Sequence, residues 1–135
     1  MAHTLTFKVR EEYDARASGI EIEVVLSLSE ATVTCRAKID TGAQACLFQR
    51  EIGDLLGLQI EDGHRREFDG IAGSLIAYGH SVTLHTLGLE FDSMVYFAAN
   101  YGLRRNLLGR EGWLNKVCLA IVDYDAEVFL SRYEE

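Results

Sequence analysis

The sequence predicts a mostly-β fold, and three observations point there. Its apolar runs are short and either alternate with polar residues or are rich in β-branched side chains, the period-2 pattern of half-buried strands. Its 12 glycines fall mostly between those runs. Proline is absent, although average usage of about 5% would supply roughly seven, so glycine is left to carry the turns.

In order, the expected strands are "LTFKV" (5–9), "IEIEVVLSL" (20–28), "ATVTCRAKI" (31–39), "SLIAYGHSVTLHTL" (74–87), "LEFDSMVYFA" (89–98), "KVCLAIV" (116–122) and "AEVFLS" (126–131). Two segments break the pattern. "QREIGDLLGL" (49–58) spaces Ile52, Leu55 and Leu56 as a helix does, and "REGWLNK" (110–116) can make one or two helical turns. Asp123-Tyr124-Asp125 reads as a hairpin connection and "RYEE" (132–135) as a frayed end. No linker, repeat or low-complexity stretch divides the chain, so residues 1–135 are expected to form a single domain. Tyr78 and Trp113 are expected to be core aromatics.

Composition narrows the function classes. With 48% hydrophobic and 25% charged residues the chain resembles a soluble globular protein. It has no 18-residue apolar run and no basic-then-apolar N-terminus, so a cytoplasmic location and no membrane partner are expected. Thirteen Lys and Arg against 21 Asp and Glu give a net charge of −8, which argues against nucleic acid as a partner. The basic pairs Arg65-Arg66 and Arg104-Arg105 read as solvated loops. Cys35, Cys46 and Cys118 have no C-x-x-C spacing, so no disulfide framework, metal or cofactor is expected and buried thiols are the better reading. A nucleophilic cysteine would need His3, His64, His80 or His85 as its base, and nothing local supports that.

The stretch "AKIDTGAQACLF" (37–48) sets Asp40 at the end of an apolar, β-branched run and follows it with Thr41-Gly42-Ala43. A strand ending at Ile39-Asp40 and turning through Gly42 places the carboxylate at an exposed strand end, beside backbone N–H groups freed by the turn. That is a station for a catalytic carboxylate. On these residues alone, however, Asp40 reads more simply as a cap for the loop before 49–58. Two further stretches matter: "FDGIAGSLIAYG" (68–79), whose Gly70 and Gly73 suit a hairpin turn, and "NLLGREGWL" (106–114).

In this order and spacing the three stretches resemble the active-site loop, the flap and the Leu/Ile-Leu/Ile-Gly-Arg segment of the retropepsin-like aspartic peptidases. The resemblance covers about Ile20 to Arg132. It implies a single-domain closed β-barrel with a flap hairpin and one or two short helices, and an aspartic-type endopeptidase acting on a peptide or protein substrate. By the same resemblance Asp40 is catalytic and Thr41, Gly42 and Ala43 complete its loop, with the Thr41 hydroxyl holding two such loops together. Gly70, Ile71, Ala72 and Gly73 form the flap over the substrate, gripped through the Ile71 N–H. Leu107, Leu108, Gly109 and Arg110 support the loop or line the pocket, and Arg104-Arg105 fall near a subsite.

This chemistry needs two carboxylates sharing one proton, one taking a proton from the attacking water and the other polarising the scissile carbonyl. The chain has one Asp-Thr-Gly, so the resemblance implies a homodimer with one active site on its two-fold axis. There are departures from the family pattern. Gln44 stands where retroviral members often have an Asp that pairs with the arginine of Gly-Arg, which leaves Arg110 to find another partner. Ala72 and Asp69 occupy positions where glycine is common. The C-terminal hairpin resembles cellular and bacterial relatives more than viral ones. A catalytically weak or inactive dimerisation or peptide-binding module of the same fold is the competing reading, and an unrelated small β-barrel binding domain a third.

Overall fold

The computed structural model describes residues 1–70 and 73–135; Ile71 and Ala72, the expected flap tip, lie outside the described residues. In chain order the strands are β1 (Val9–Glu12), β2 (Glu21–Leu28), β3 (Ala31–Ile39), β4 (Leu47–Phe48), β5 (His64–Gly70), β6 (Gly73–Thr86), β7 (Leu89–Ala98), β8 (Leu107–Leu108), β9 (Val117–Val122) and β10 (Glu127–Arg132). Helix α1 spans Arg50–Leu55, and single 3₁₀ turns occupy Ile60–Asp62, Leu114–Lys116 and Asp123–Asp125. A small sheet runs β1-β10-β9. The larger one runs β2-β3-β8-β4-β7-β6-β5, with a further pairing between β2 and β6.

Alternation explains which face each strand buries. Ile22, Val24 and Leu26 of β2 point into the core while Glu23 is exposed, the expected result for a strand wet on one side. β7 changes character along its length. Leu89, Phe91 and Ser93 alternate with exposed neighbours, whereas Val95 to Ala98 are all buried. That half of β7 is covered on both faces. Val95 and Phe97 join the main core, and Tyr96 packs in a second cluster with Ala45, Leu47 and Ala77. Trp113 is fully buried, and its indole N–H donates to Thr86 Oγ1 at 3.0 Å, so the expected core aromatic has its polar handle satisfied. Tyr78 packs against the same core while half-buried.

Several expectations need correction. "LTFKV" is not a strand: pairing begins at Val9, opposite Leu130, because the Lys8 N–H is taken by the Ser131 hydroxyl rather than by a ladder carbonyl. Leu5 is exposed, and Phe7 is held by its contact with Phe129. Arg65 and Arg66 lie on β5, a strand whose polar sequence hid it, and not in a loop. The tail is tied down: Tyr133 N–H donates to Lys116 O, and Glu135 pairs with Lys8 at 3.1 Å. Of the three apolar residues that predicted the helix, Ile52 and Leu56 are buried but Leu55 is 68% exposed. The predicted helical turns in 110–116 reduce to the 3₁₀ turn Leu114–Lys116.

The β9–β10 connection is fastened by Tyr13. Its N–H donates to Ala126 O at 2.9 Å, and its hydroxyl donates to the Asp123 carboxylate. That hydrogen bond, then burial, then the Asp123 charge push the phenol from 10.0 up to about 12. A folded-state value raised above the unfolded one means that the contact stabilises fully below the unfolded value and is lost as pH rises through the folded one. Tyr13→Phe is expected to lower the thermal midpoint by a few degrees near neutrality and to flatten the stability loss between pH 10 and 12. Melting curves across that range check it. Superimposable alkaline profiles for parent and variant would show that the contact contributes nothing.

Candidate active site

The two-residue strand β8 organises the site. It inserts between β3 and β4, parallel to β3 through Lys38–Leu107 and Ile39–Leu108 and antiparallel to β4 through Leu47–Leu107. Asp40 follows directly from β3, and its N–H donates to Leu108 O at 3.0 Å. The chain then turns: Ala43 N–H donates to Asp40 O at 3.1 Å, and Gly42 N–H donates to the carboxylate oxygen Oδ1 at 3.0 Å. Asp40 thus caps its own loop, and Gln49 takes the N-cap position of α1. The capping and site readings of Asp40 are compatible, since the second carboxylate oxygen is left for other partners.

The segment after β8 secures the other side of this loop. Arg110 N–H donates to Ala43 O and Glu111 N–H to Gln44 O, each at 3.0 Å. Gly109 makes the approach possible: a Cβ there would lie 2.2 Å from Ala45 O and 2.9 Å from Ala43 O. Gly112, with φ +96°, lets the chain turn away against Met94. Cys46 is fully buried beside Gly109, whose N–H lies 3.4 Å from its Sγ. Burial pushes the Cys46 thiol up to about 12 and Cys35 to about 11, so both stay protonated at neutral pH and serve packing rather than nucleophilic attack.

A residue that sequence reasoning passed over, Asn106, ties these pieces together. It is buried. Its Oδ1 accepts the Gln49 N–H at 2.9 Å, its Nδ2 donates to Arg36 O at 3.0 Å, and its own carbonyl accepts the Lys38 N–H at 2.8 Å. A strand of two residues leaves flanking backbone groups to be satisfied by a side chain, and an amide, donor and acceptor at once, is the suitable type. That requirement is the signal available in "RRNLLG".

Asp40 opens into a cleft of about 780 Å³. Gly42, Ala43 and Gln44 line one part, Phe68, Asp69, Gly70, Gly73 and Leu75 of the β5–β6 hairpin another, and Leu103, Arg104, Arg105 and Leu107 a third. The second apolar cluster underlies it, with Phe68, Leu75 and Leu107 packed on Leu47 and Tyr96. Phe68 meets Tyr96 edge-on at 5.3 Å. Arg66 spans the hairpin and the 109–116 segment: its guanidinium lies 4.8 Å from the Phe68 ring centre and pairs with Glu111 at 2.7 Å.

The structure therefore brings Asp40, Gly42, Ala43, Gly70, Gly73 and Leu107 to one cleft. Thr41 is exposed and lines no part of it, Leu108 is buried in the main core, and Gly109 sits between loop and core. Arg110 contributes backbone; among the described residues its side chain makes no ion pair. No group of three His, Cys, Asp or Glu among the described residues could hold a metal ion. No helix among them is long and apolar enough to cross a membrane.

No protein-family model matches the sequence, and neither does any curated protein. Solved structures do resemble it. A retropepsin-like aspartic protease from Rickettsia conorii superimposes with a TM-score of 0.64 at 18% identity, covering 92% of this chain and 99% of that one. The EIAV protease, solved with the inhibitor HBY-793, gives 0.53 at 16% identity over 78% of this chain and 88% of the other. At such identities the likeness speaks for architecture, and it agrees with the order of loop, hairpin and inserted strand described above: the chain has the retropepsin-like fold.

Proposed function

We propose that this chain is an aspartic endopeptidase that acts as a homodimer. The observation that carries the reading is the position of Asp40, held at a strand end by Leu108 and Gly42 and opening into a cleft walled by the β5–β6 hairpin and the 103–107 segment. The additional β2–β6 pairing supports reading the larger sheet as a closed barrel.

A single carboxylate cannot both accept a proton from water and donate one to the scissile carbonyl in the same step. Two copies about a two-fold axis supply both roles: the ionised Asp40 takes the water proton, and the protonated Asp40 of the other chain polarises the carbonyl. Two negative charges that close repel, so the pair retains one proton in mild acid. Thr41, exposed beside Asp40, is free to meet its counterpart across the axis. Gly42 offers backbone to the substrate, and the hairpin ending at Gly70 and Gly73 covers it. Leu107 lines the pocket while Leu108 and Gly109 hold the loop from behind. The competing reading, a peptide-binding module without turnover, draws on Asp69, which accepts a hydrogen bond from Ser74 at 3.0 Å and braces the hairpin.

The homodimer is tested by dilution. Specific activity on a mixed peptide library is expected to fall as the protein is diluted, in step with conversion from two-chain to one-chain particles in sedimentation. With a net charge of −8 per chain, association is expected to weaken at low salt, where repulsion is least screened. A fully active single chain would overturn the shared-carboxylate mechanism.

A further inference from the structure

The cleft that holds Asp40 is charged unevenly. Its floor is apolar, built by Leu47, Phe68, Leu75 and Leu107, while two cationic residues, Arg104 and Arg105, line it from the segment before β8. Both are exposed. Among the described residues neither takes part in an ion pair. Lys8, Arg10, Arg16, Arg36, Arg50 and Arg66 each face a carboxylate within 3.7 Å, whereas Lys38, Arg65, Arg110, Lys116 and Arg132 share the unpaired state of Arg104 and Arg105. What sets these two apart is place, since among the described residues they are the only basic side chains lining the cleft.

The segment that presents them is anchored at both ends. Gln49 Nε2 donates to Leu103 O at 2.9 Å, and Asn106 is fixed by three hydrogen bonds. Neither of the two carboxylates that share the cleft forms an ion pair with these arginines: Asp69 accepts the Ser74 hydroxyl and Asp40 the Gly42 N–H. Arginine meets a carboxylate through two parallel N–H···O bonds, which gives geometric selection as well as attraction.

Resting on the peptidase reading above, we propose that Arg104 and Arg105 make the cleft select peptides with an acidic side chain near the scissile bond, next to an apolar side chain seated on the Leu47–Phe68–Leu75–Leu107 floor. In an extended peptide, side chains two positions apart share a face and lie roughly 7 Å from each other. One apolar and one acidic residue can thus be read by the same chain.

The test uses a decapeptide library to find cleaved sequences, then matched peptides that differ only by Glu or Gln at the selected position. The parent is expected to favour Glu by about tenfold in kcat/KM, the scale of two charge contacts that are partly shielded from water. Arg104→Ala with Arg105→Ala should bring the ratio near one, and Arg104→Glu with Arg105→Glu should favour Lys over Gln. Raised salt should shrink the parent's preference and leave the Ala variant unaffected. A Glu/Gln ratio unchanged by either substitution would overturn the proposal while leaving the peptidase intact. If the parent cleaves nothing, the peptidase reading fails, and binding of an equivalent pair of fluorescent library decapeptides, Glu against Gln, to parent and double variants decides the charge selection by the same ratios. The arginines are exposed, so their removal is expected to leave the fold in place, which a melting curve checks.

Discussion

Asp40→Asn is expected to reduce peptide hydrolysis by at least about 10³-fold, within the range that positioned acid–base groups contribute, while the protein still folds and pairs. The amide cannot ionise, so position 40 can no longer take the proton of the attacking water, and Asp69, the other carboxylate lining the cleft, sits on the β5–β6 hairpin bonded to Ser74. The substitution falls twice in a homodimer and removes both roles at once. The local structure should survive, because an amide oxygen can accept the Gly42 N–H that the Asp40 carboxylate now accepts at 3.0 Å and the change alters few atoms. The measurement is hydrolysis of a cleaved library peptide by parent and variant purified side by side, with circular dichroism melts as the control for folding. Cleavage at near the parent rate, with contaminating proteases excluded, would remove Asp40 from the reaction. An inert parent with an intact fold would favour the binding-module reading instead.

Gly109→Ala is expected to disable the site from behind. The new methyl would stand 2.2 Å from Ala45 O and 2.7 Å from its carbonyl carbon. These are backbone atoms, which no rotamer change can move aside. Overpacking of this kind costs about 1–3 kcal/mol and occasionally more, and relief requires the strand and the Asp40 loop to part. The loop would then lose its Arg110 and Glu111 donors, each now at 3.0 Å. Misplacing a reacting group by about 1 Å can cost about 10²-fold in rate. Thermal melts and peptide hydrolysis together check it: a lowered midpoint with activity down by that order is expected. Parent-like values for both would show that the loop tolerates a wider spacing than the structure gives it.

Much of this arrangement was legible in the sequence, for physical reasons that differ by residue. The strand before Asp40 is written in its β-branched residues, and the core-facing side of β2 in the alternation of Ile22, Val24 and Leu26. β5 was not legible, because in "HRREFDG" the half-buried face carries Arg66 beside Phe68, so the apolar alternation that marks a strand is missing. The role of Arg66 was hidden for a related reason. A basic pair looks solvated until the fold sets Phe68 beneath one guanidinium and Glu111 beside it. Arg110 shows the reverse: among the described residues its side chain makes no ion pair, and its backbone N–H, which any residue but proline would supply, holds the loop through Ala43 O. Asn106 shows a limit of local reading, since its partners Gln49 and Arg36 lie 57 and 70 positions away.

Those long separations bear on when the site comes into being. The loop around Asp40 is closed by Leu108, Gly109, Arg110 and Glu111, so a growing chain presents its Asp-Thr-Gly long before the residues that brace it exist. Contacts so distant in sequence form late, because the loop-closure entropy must be met before they yield any stabilisation. Until β8 has been synthesised and slotted between β3 and β4, Asp40 has no fixed direction and the cleft has no third wall. A nascent or truncated copy that lacks residues 107–111 therefore exposes its carboxylate without being able to use it, and the hydrolytic capacity proposed here is withheld until that segment has been made and placed.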